Sequence, residues 1–162
     1  TRTETVDETV EVSLESVGAS VERVAVDRYV EEGEARLAEM ADAAKRASDR
    51  QVEDRVARFA ATAREMFRTV EDDPRDLTAA RKYLGVYLMG ARDATVKFVD
   101  LYRRKKDSGA RADYEALLGD LETNFADKTD KLLLDDRSDM DIEIKVLRDR
   151  LQREGVSLKT GD

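Results

Sequence analysis

The stretch from Leu77 to Lys105, LTAARKYLGVYLMGARDATVKFVDLYRRK, decides the fold. Leu77, Ala80, Leu84, Tyr87, Ala91, Ala94, Phe98 and Leu101 recur at spacings of three and four, so they share one face of an α-helix and give it a heptad seam. Its start is equally legible: Asp72 or Asp73 can cap it, Pro74 suits the first helical position, and Asp76 stands near the positive end of the helix dipole. At the far end Arg103, Arg104, Lys105 and Lys106 suit the negative end of the dipole, and Asp107-Ser108-Gly109 stops the helix. Gly85 and Gly90 each cost roughly 1 kcal/mol relative to Ala inside a helix, and the close approach of another helix is expected at both.

Upstream, Val52, Val56, Phe59, Ala63, Met66 and Val70 repeat the spacing, and it continues back through Leu37, Met40 and Ala44 with a phase slip near Ser48. This predicts one long helix from about Glu34 to Glu71, antiparallel to its successor because the link around Asp72 to Asp76 is so short. Downstream, Tyr114, Leu118, Leu121, Phe125, Lys128 and Leu132 predict a third helix, ending in the acidic stretch Asp135 to Asp139. A last helix from Asp139 to Glu154 is expected to bury Ile142, Val146, Leu147 and Leu151. Ser138 and Asp141 make its capping-box-like start, and Gly155 ends it. Residues 1–33 read as an amphipathic helix on Val6, Val10, Leu14, Val17, Val21 and Val24, interrupted near Gly18 and Gly33; Val10, Val12 and Leu14 also alternate like a strand. The expected architecture is all-α, an elongated antiparallel helical bundle. Residues 1–33 form an N-terminal segment, 34–156 the bundle and 157–162 a tail.

Composition agrees and narrows the chemistry. Of 162 residues 41% are charged and 6% aromatic, with one proline, the balance of solvated helices. Cys and His are absent, which removes disulfides, thiolate nucleophiles, imidazole bases and the common zinc sites, and no cofactor is expected. A net charge of −8 repels phosphate backbones, so no nucleic-acid partner is expected. Nothing approaches the ~18 apolar residues of a membrane span, and Thr1 to Val12 lack signal-peptide character. A start at Thr1 rather than Met leads us to expect that an upstream segment has been removed.

Two constellations stand out. Asp135 to Glu143 is carboxylate-rich, and Asp136, Asp139, Asp141 and Glu143 are candidate ligands for a hard cation such as Mg²⁺ or Ca²⁺; the alternative is a helix-helix turn whose carboxylates complement a dipole. Arg103, Arg104 and Lys105, with Tyr102, Tyr83 and Tyr87, form a candidate partner-binding set; the alternative is a solvated helix end beside core aromatics.

The second half of the chain resembles the XpaC family of 5-bromo-4-chloroindolyl phosphate hydrolysis proteins. The likeness runs from Asp73-Pro74-Arg75-Asp76 through Ala80-Arg81-Lys82-Tyr83-Leu84, Tyr87-Leu88, Lys97, Tyr102 and Phe125. It continues through Leu132-Leu133, Asp135-Asp136 and Met140-Asp141-Ile142-Glu143-Ile144-Lys145-Val146-Leu147 to Arg153-Glu154-Gly155. The resemblance implies a bacterial helical protein, often membrane-associated through its N-terminal region and frequently encoded beside a TelA-like toxic-anion (tellurite) resistance protein. The N-terminal part departs from that pattern in being charged. The leading expectation is a non-catalytic interaction module with a TelA-like partner, in the cytoplasm or at the inner face of the cell membrane. The alternatives are a metal-assisted phosphoester hydrolase, as the family name implies, and a homo-oligomer joined through its heptad seams.

Overall fold

The computed structural model describes the backbone of residues 2–155 and the side chains of residues 17–155 except that of Ala19. Among the described residues all regular structure is helical. Helices α1 (Arg2–Arg46), α2 (Arg50–Asp72), α3 (Leu77–Lys82), α4 (Leu88–Arg104) and α5 (Ser108–Arg153) are joined by a short 3₁₀ turn, Pro74–Asp76, and a π-helical turn, Tyr83–Tyr87. Because α3, the π turn and α4 run on without a break, they act as one helix.

Periodicity placed the core well in α2, where Val52, Val56, Phe59, Ala63, Met66 and Val70 are all buried. The helix expected from Glu34 to Glu71 is instead two, folded back on each other at Ser48. Ser48 takes a positive φ of 53°, and Asp49 restarts the chain by accepting hydrogen bonds from the Gln51 and Val52 amides at 3.0 and 3.3 Å. Arg64 then pairs with Glu34, and Arg23 donates to the Glu71 carbonyl, the pattern of an antiparallel hairpin. Conversely, α1 passes through Gly18 and Gly33 without the expected interruptions. The side chains of Val6, Val10 and Leu14 lie outside the described residues.

The seam quoted first is rotated partway along. Leu77, Ala80 and Leu84 are buried as expected, but the next inward positions are Leu88, Ala91, Thr95, Phe98 and Tyr102, leaving Tyr87 41% and Leu101 54% exposed. Helical pitch accounts for this. Leu77, Ala80, Leu84, Leu88, Ala91, Thr95, Phe98 and Tyr102 keep to one face at about 3.6 residues per turn, whereas Tyr87, Ala94 and Leu101, the strict heptad places, fall progressively behind it, by about 60°, 80° and 100° from Leu84.

Two hairpins, α1/α2 and α3–α4/α5, build the bundle, and they pack so that α1 lies along α4 and α2 along α5. Phe59 meets Phe125 edge-on at 5.3 Å, and Arg92 of α4 reaches Glu39 of α1 at 2.8 Å. Although α2 and α3 are consecutive and antiparallel in direction, they touch chiefly at their shared corner, since α1 and α5 occupy the flanks between them.

Close helix approach occurs at Gly33 rather than at the glycines where it was expected. A Cβ on Gly90 would meet nothing within 4 Å and one on Gly85 would make an ordinary contact with Tyr29, whereas one on Gly33 would stand 2.6 Å from Phe67 Cζ and 3.3 Å from Leu88 Cδ1. Gly33→Ala should therefore destabilise the protein by about 1–2 kcal/mol, overpacking outweighing the gain in helix propensity. Urea unfolding beside Gly18→Ala, whose Cβ meets nothing, checks this. An unchanged midpoint for Gly33→Ala would mean that Phe67 yields.

The largest departure concerns α5, which is continuous from Ser108 to Arg153 with no turn at Asp135 to Asp139 and no new start at Ser138. Arg137 and Asp141 pair at 3.2 Å across the segment expected to break. Tyr114, Leu118, Phe125 and Leu132 are buried, but beyond Asp136 the helix leaves the bundle, and Ile142, Val146 and Leu147 are exposed rather than buried. The described α1 side chains before Ala25 are exposed too, so two helical arms project from the end of the bundle where α2 meets α3. No described helix is long and apolar enough to cross a membrane.

Candidate functional site at the root of the arms

The corner between α2 and α3 is built by capping. Asp73, extended at φ −134°, accepts hydrogen bonds from the Arg75 amide at 3.1 Å and from the Arg75 guanidinium at 3.0 Å on both its oxygens. That guanidinium, against the cost of burial, holds the Asp73 carboxyl below its ordinary value, and Asp73 in return holds Arg75 above its own. Pro74 fixes the first position of the 3₁₀ turn, and the turn aims Asp76 inward.

Onto this corner α5 lays its last bundle-facing turn. The inward series Phe125, Thr129, Leu132 continues to Asp136, half-buried where the apolar residues stop. Carboxylate oxygens of Asp73, Asp76 and Asp136 all lie within 4.8 Å of one another. Asp76 is only 9% exposed, and its Oδ2 is fully buried without a hydrogen-bond donor. Burial, then the hydrogen-bonding contact and charge of Asp136, then the charge of Asp73, raise the Asp76 carboxyl to about 7, with Arg75 pulling the other way. Asp139 and Glu143, on the same side of α5, act electrostatically on Arg75, so the acidic character extends along the arm.

Of the four candidate ligands Asp136, Asp139, Asp141 and Glu143, then, only Asp136 joins a cluster. Asp141 faces Arg137 instead, and the two remaining partners in the cluster, Asp73 and Asp76, had stood out in the sequence only as cap and first-turn residues. The candidate partner set is also dispersed. Tyr83 packs edge-on against Tyr87 and Phe125 in the middle of the bundle, with the Lys128 ammonium 6.0 Å from its ring centre. Tyr102 is buried at the far end and donates to Asp49 Oδ2 at 3.0 Å, while Arg103, Arg104 and Lys105 are exposed beside it.

Apolar exposure is concentrated on the arms and around the π turn. Leu133, Met140, Ile144 and Leu147 are exposed at spacings of seven, four and three, and half-buried Leu151 follows at four. Such spacing makes a stripe along one side of α5. On α1, Val17, Val21 and Val24 are exposed in similar order, and Val86 and Met89 face Val21 and Val24 across a groove.

These features define a class: an all-α bundle protein with two projecting helical arms and an acidic corner at their root. A family model described as 5-bromo-4-chloroindolyl phosphate hydrolysis protein matches residues 7–147, and the chain belongs to that family. No curated protein and no solved structure matches the chain.

Proposed function

We propose that the protein is a helical interaction module of its family, docking a helical partner along the arm of α5. The observation that supports this reading is the stripe of Leu133, Met140, Ile144 and Leu147. It has the periodicity of a helix seam, yet it runs past the end of the bundle, where its side chains stand exposed among the described residues. Resemblance supplies the partner, a TelA-like toxic-anion resistance protein, and the setting, the inner face of the cell membrane.

The test is association of the purified chain with such a protein, beside the triple variant Met140→Glu/Ile144→Glu/Leu147→Glu. Because all three side chains are exposed, the variant should keep its fold, while association falls by roughly a hundredfold or more, as truncating interface anchors does. Equal binding by both chains would remove the stripe from the reading, and self-association by sedimentation that the triple variant abolishes would make the partner a second copy. Phosphoester hydrolysis is the second reading, favoured by the family's description and by the Asp73, Asp76 and Asp136 carboxylates. Turnover of an indolyl phosphate that disappears in Asp136→Asn would put it first.

A further inference from the structure

We propose that Asp73, Asp76 and Asp136 form a binding site for a hard divalent cation, of Ca²⁺ or Mg²⁺ chemistry, that fastens α5 to the corner between α2 and α3. The inference rests on this geometry and is independent of what the arms dock.

Distances come first. Two oxygens bound to one Ca²⁺ at 2.3–2.6 Å can be no more than about 5 Å apart. The three carboxylates present ligand atoms within 4.8 Å of one another, inside that limit. An all-oxygen set in a chain with neither His nor Cys suits Ca²⁺ or Mg²⁺ rather than a softer metal.

Acidic clusters are common on helical proteins, and the buried state of Asp76 separates this one from them. Its Oδ2 is closed off from solvent and has no N–H or hydroxyl donor, so apart from a proton shared with the Asp136 carboxyl only a cation can satisfy it, and native structures avoid leaving such an atom without a partner. Arg75 does not serve, because its amide, Nε and Nη2 donate to Asp73 and none of its donors reaches Asp76 Oδ2. A cation between the three groups satisfies Asp76 and removes the repulsion between Asp76 and Asp136 in one step. Asp73 Oδ1 is fully engaged by the Arg75 amide and Nε, but Oδ2 accepts from Arg75 only through Nη2 and keeps a further lone pair for the ion. Asp139 and Glu143, farther along the arm on the side of Arg75, add negative potential that draws a cation in.

The position gives the site a consequence. Asp73 and Asp76 belong to the corner and Asp136 to the last turn of α5 against the bundle, so an ion held by all three fixes the direction in which the arm departs.

The experiment is calorimetric titration of the whole chain, freed of metal by chelation, with CaCl₂ and with MgCl₂ at neutral pH. Thermal melts in the same salts run against NaCl of equal ionic strength. One saturable site per chain is expected, with a rise in melting temperature that NaCl does not reproduce. Asp76→Asn and Asp136→Asn should each weaken binding by about tenfold or more. Asp141→Asn, whose carboxylate pairs with Arg137 outside the cluster, should bind as the parent does. Asparagine keeps the shape of the side chain, and circular dichroism establishes that each variant is folded. Absence of saturable binding at millimolar concentration, stabilisation that NaCl reproduces, or unimpaired binding by folded Asp76→Asn would each overturn the proposal.

Discussion

Asp49→Ala is expected to lower the unfolding free energy by about 2–3 kcal/mol, the sum of a lost N-cap and a buried hydrogen bond left half-made. Asp49 sits where three elements end. It caps α2 through the Gln51 and Val52 amides, accepts from the Tyr102 hydroxyl at the end of α4, and faces Arg111 of α5 at 3.5 Å. Ser48, just before it, holds a backbone conformation that most side chains disfavour, so without the cap the reversal between α1 and α2 has little to hold it. Urea unfolding measures the loss, and a double-mutant cycle with Tyr102→Phe divides it. The double variant should recover part of the deficit, since no orphaned hydroxyl remains. If Asp49→Ala costs the same in both backgrounds, the Tyr102 bond contributes nothing beyond the cap.

The Asp49 carboxyl also titrates with a definite sign. Burial works against its charge, but the Tyr102 hydroxyl, the Val52 amide, Arg111 and the Gln51 amide together bring its pKa below the ordinary value of 3.8. The stability it contributes is therefore present above about pH 4 and is lost as pH falls below that.

Asp76 works in the opposite sense over a different window. Its carboxyl is raised from 3.8 to about 7, so the folded chain holds a proton that the unfolded chain has released. Stability consequently falls as pH rises from about 4 through 7. In chelator-treated buffer Asp76→Asn should flatten that decline and be more stable than the parent by about 2–4 kcal/mol at pH 8, the scale of a shift of about three units. Melting curves of both chains from pH 4.5 to 8 check this. Parallel pH profiles would show that Asp76 ionises at little cost. Divalent cation, if the corner holds it, should return most of the lost stability to the parent and none to the variant.

The helices with a partner on their inner face were legible from spacing alone. Val52 to Val70, Leu37 to Ala44 and Tyr114 to Leu132 are buried or half-buried as their periodicity requires. The register of α4 was not, because the sequence offers two seams side by side. Tyr87 and Leu88, Ala94 and Thr95, and Leu101 and Tyr102 are neighbours that each could face inward, and a heptad spacing selects the first of each pair where the true helical period selects the second. The reversal at Ser48 showed as a phase slip but lacked the Gly or Pro that usually marks a break. For α5 the difficulty was different in kind. Periodicity reports that a face is apolar, not that anything covers it, so Ile142 and Leu147 read as core. The corner could be half-seen: Asp136 lies four residues beyond Leu132 on the inward side of α5. Its convergence with Asp73 and Asp76, some sixty residues earlier, needs the parallel packing of α2 and α5, which no short-range signal carries.

The pitch of the helix also governs chemistry far from the seam's start. Had α4 kept the strict heptad from Leu84, Ala94 and Leu101 would face the core and the far end would be held by hydrocarbon alone. At about 3.6 residues per turn the inward face instead takes up Thr95 and Tyr102, and two hydroxyl groups turn inward. Thr95 meets the Tyr114 hydroxyl at 2.6 Å, and Tyr102 finds Asp49. The polar fastenings of one end of the molecule are thus written into about a tenth of a residue per turn, and a helix supercoiled down to the heptad would trade both hydroxyls for a drier, less specific fit.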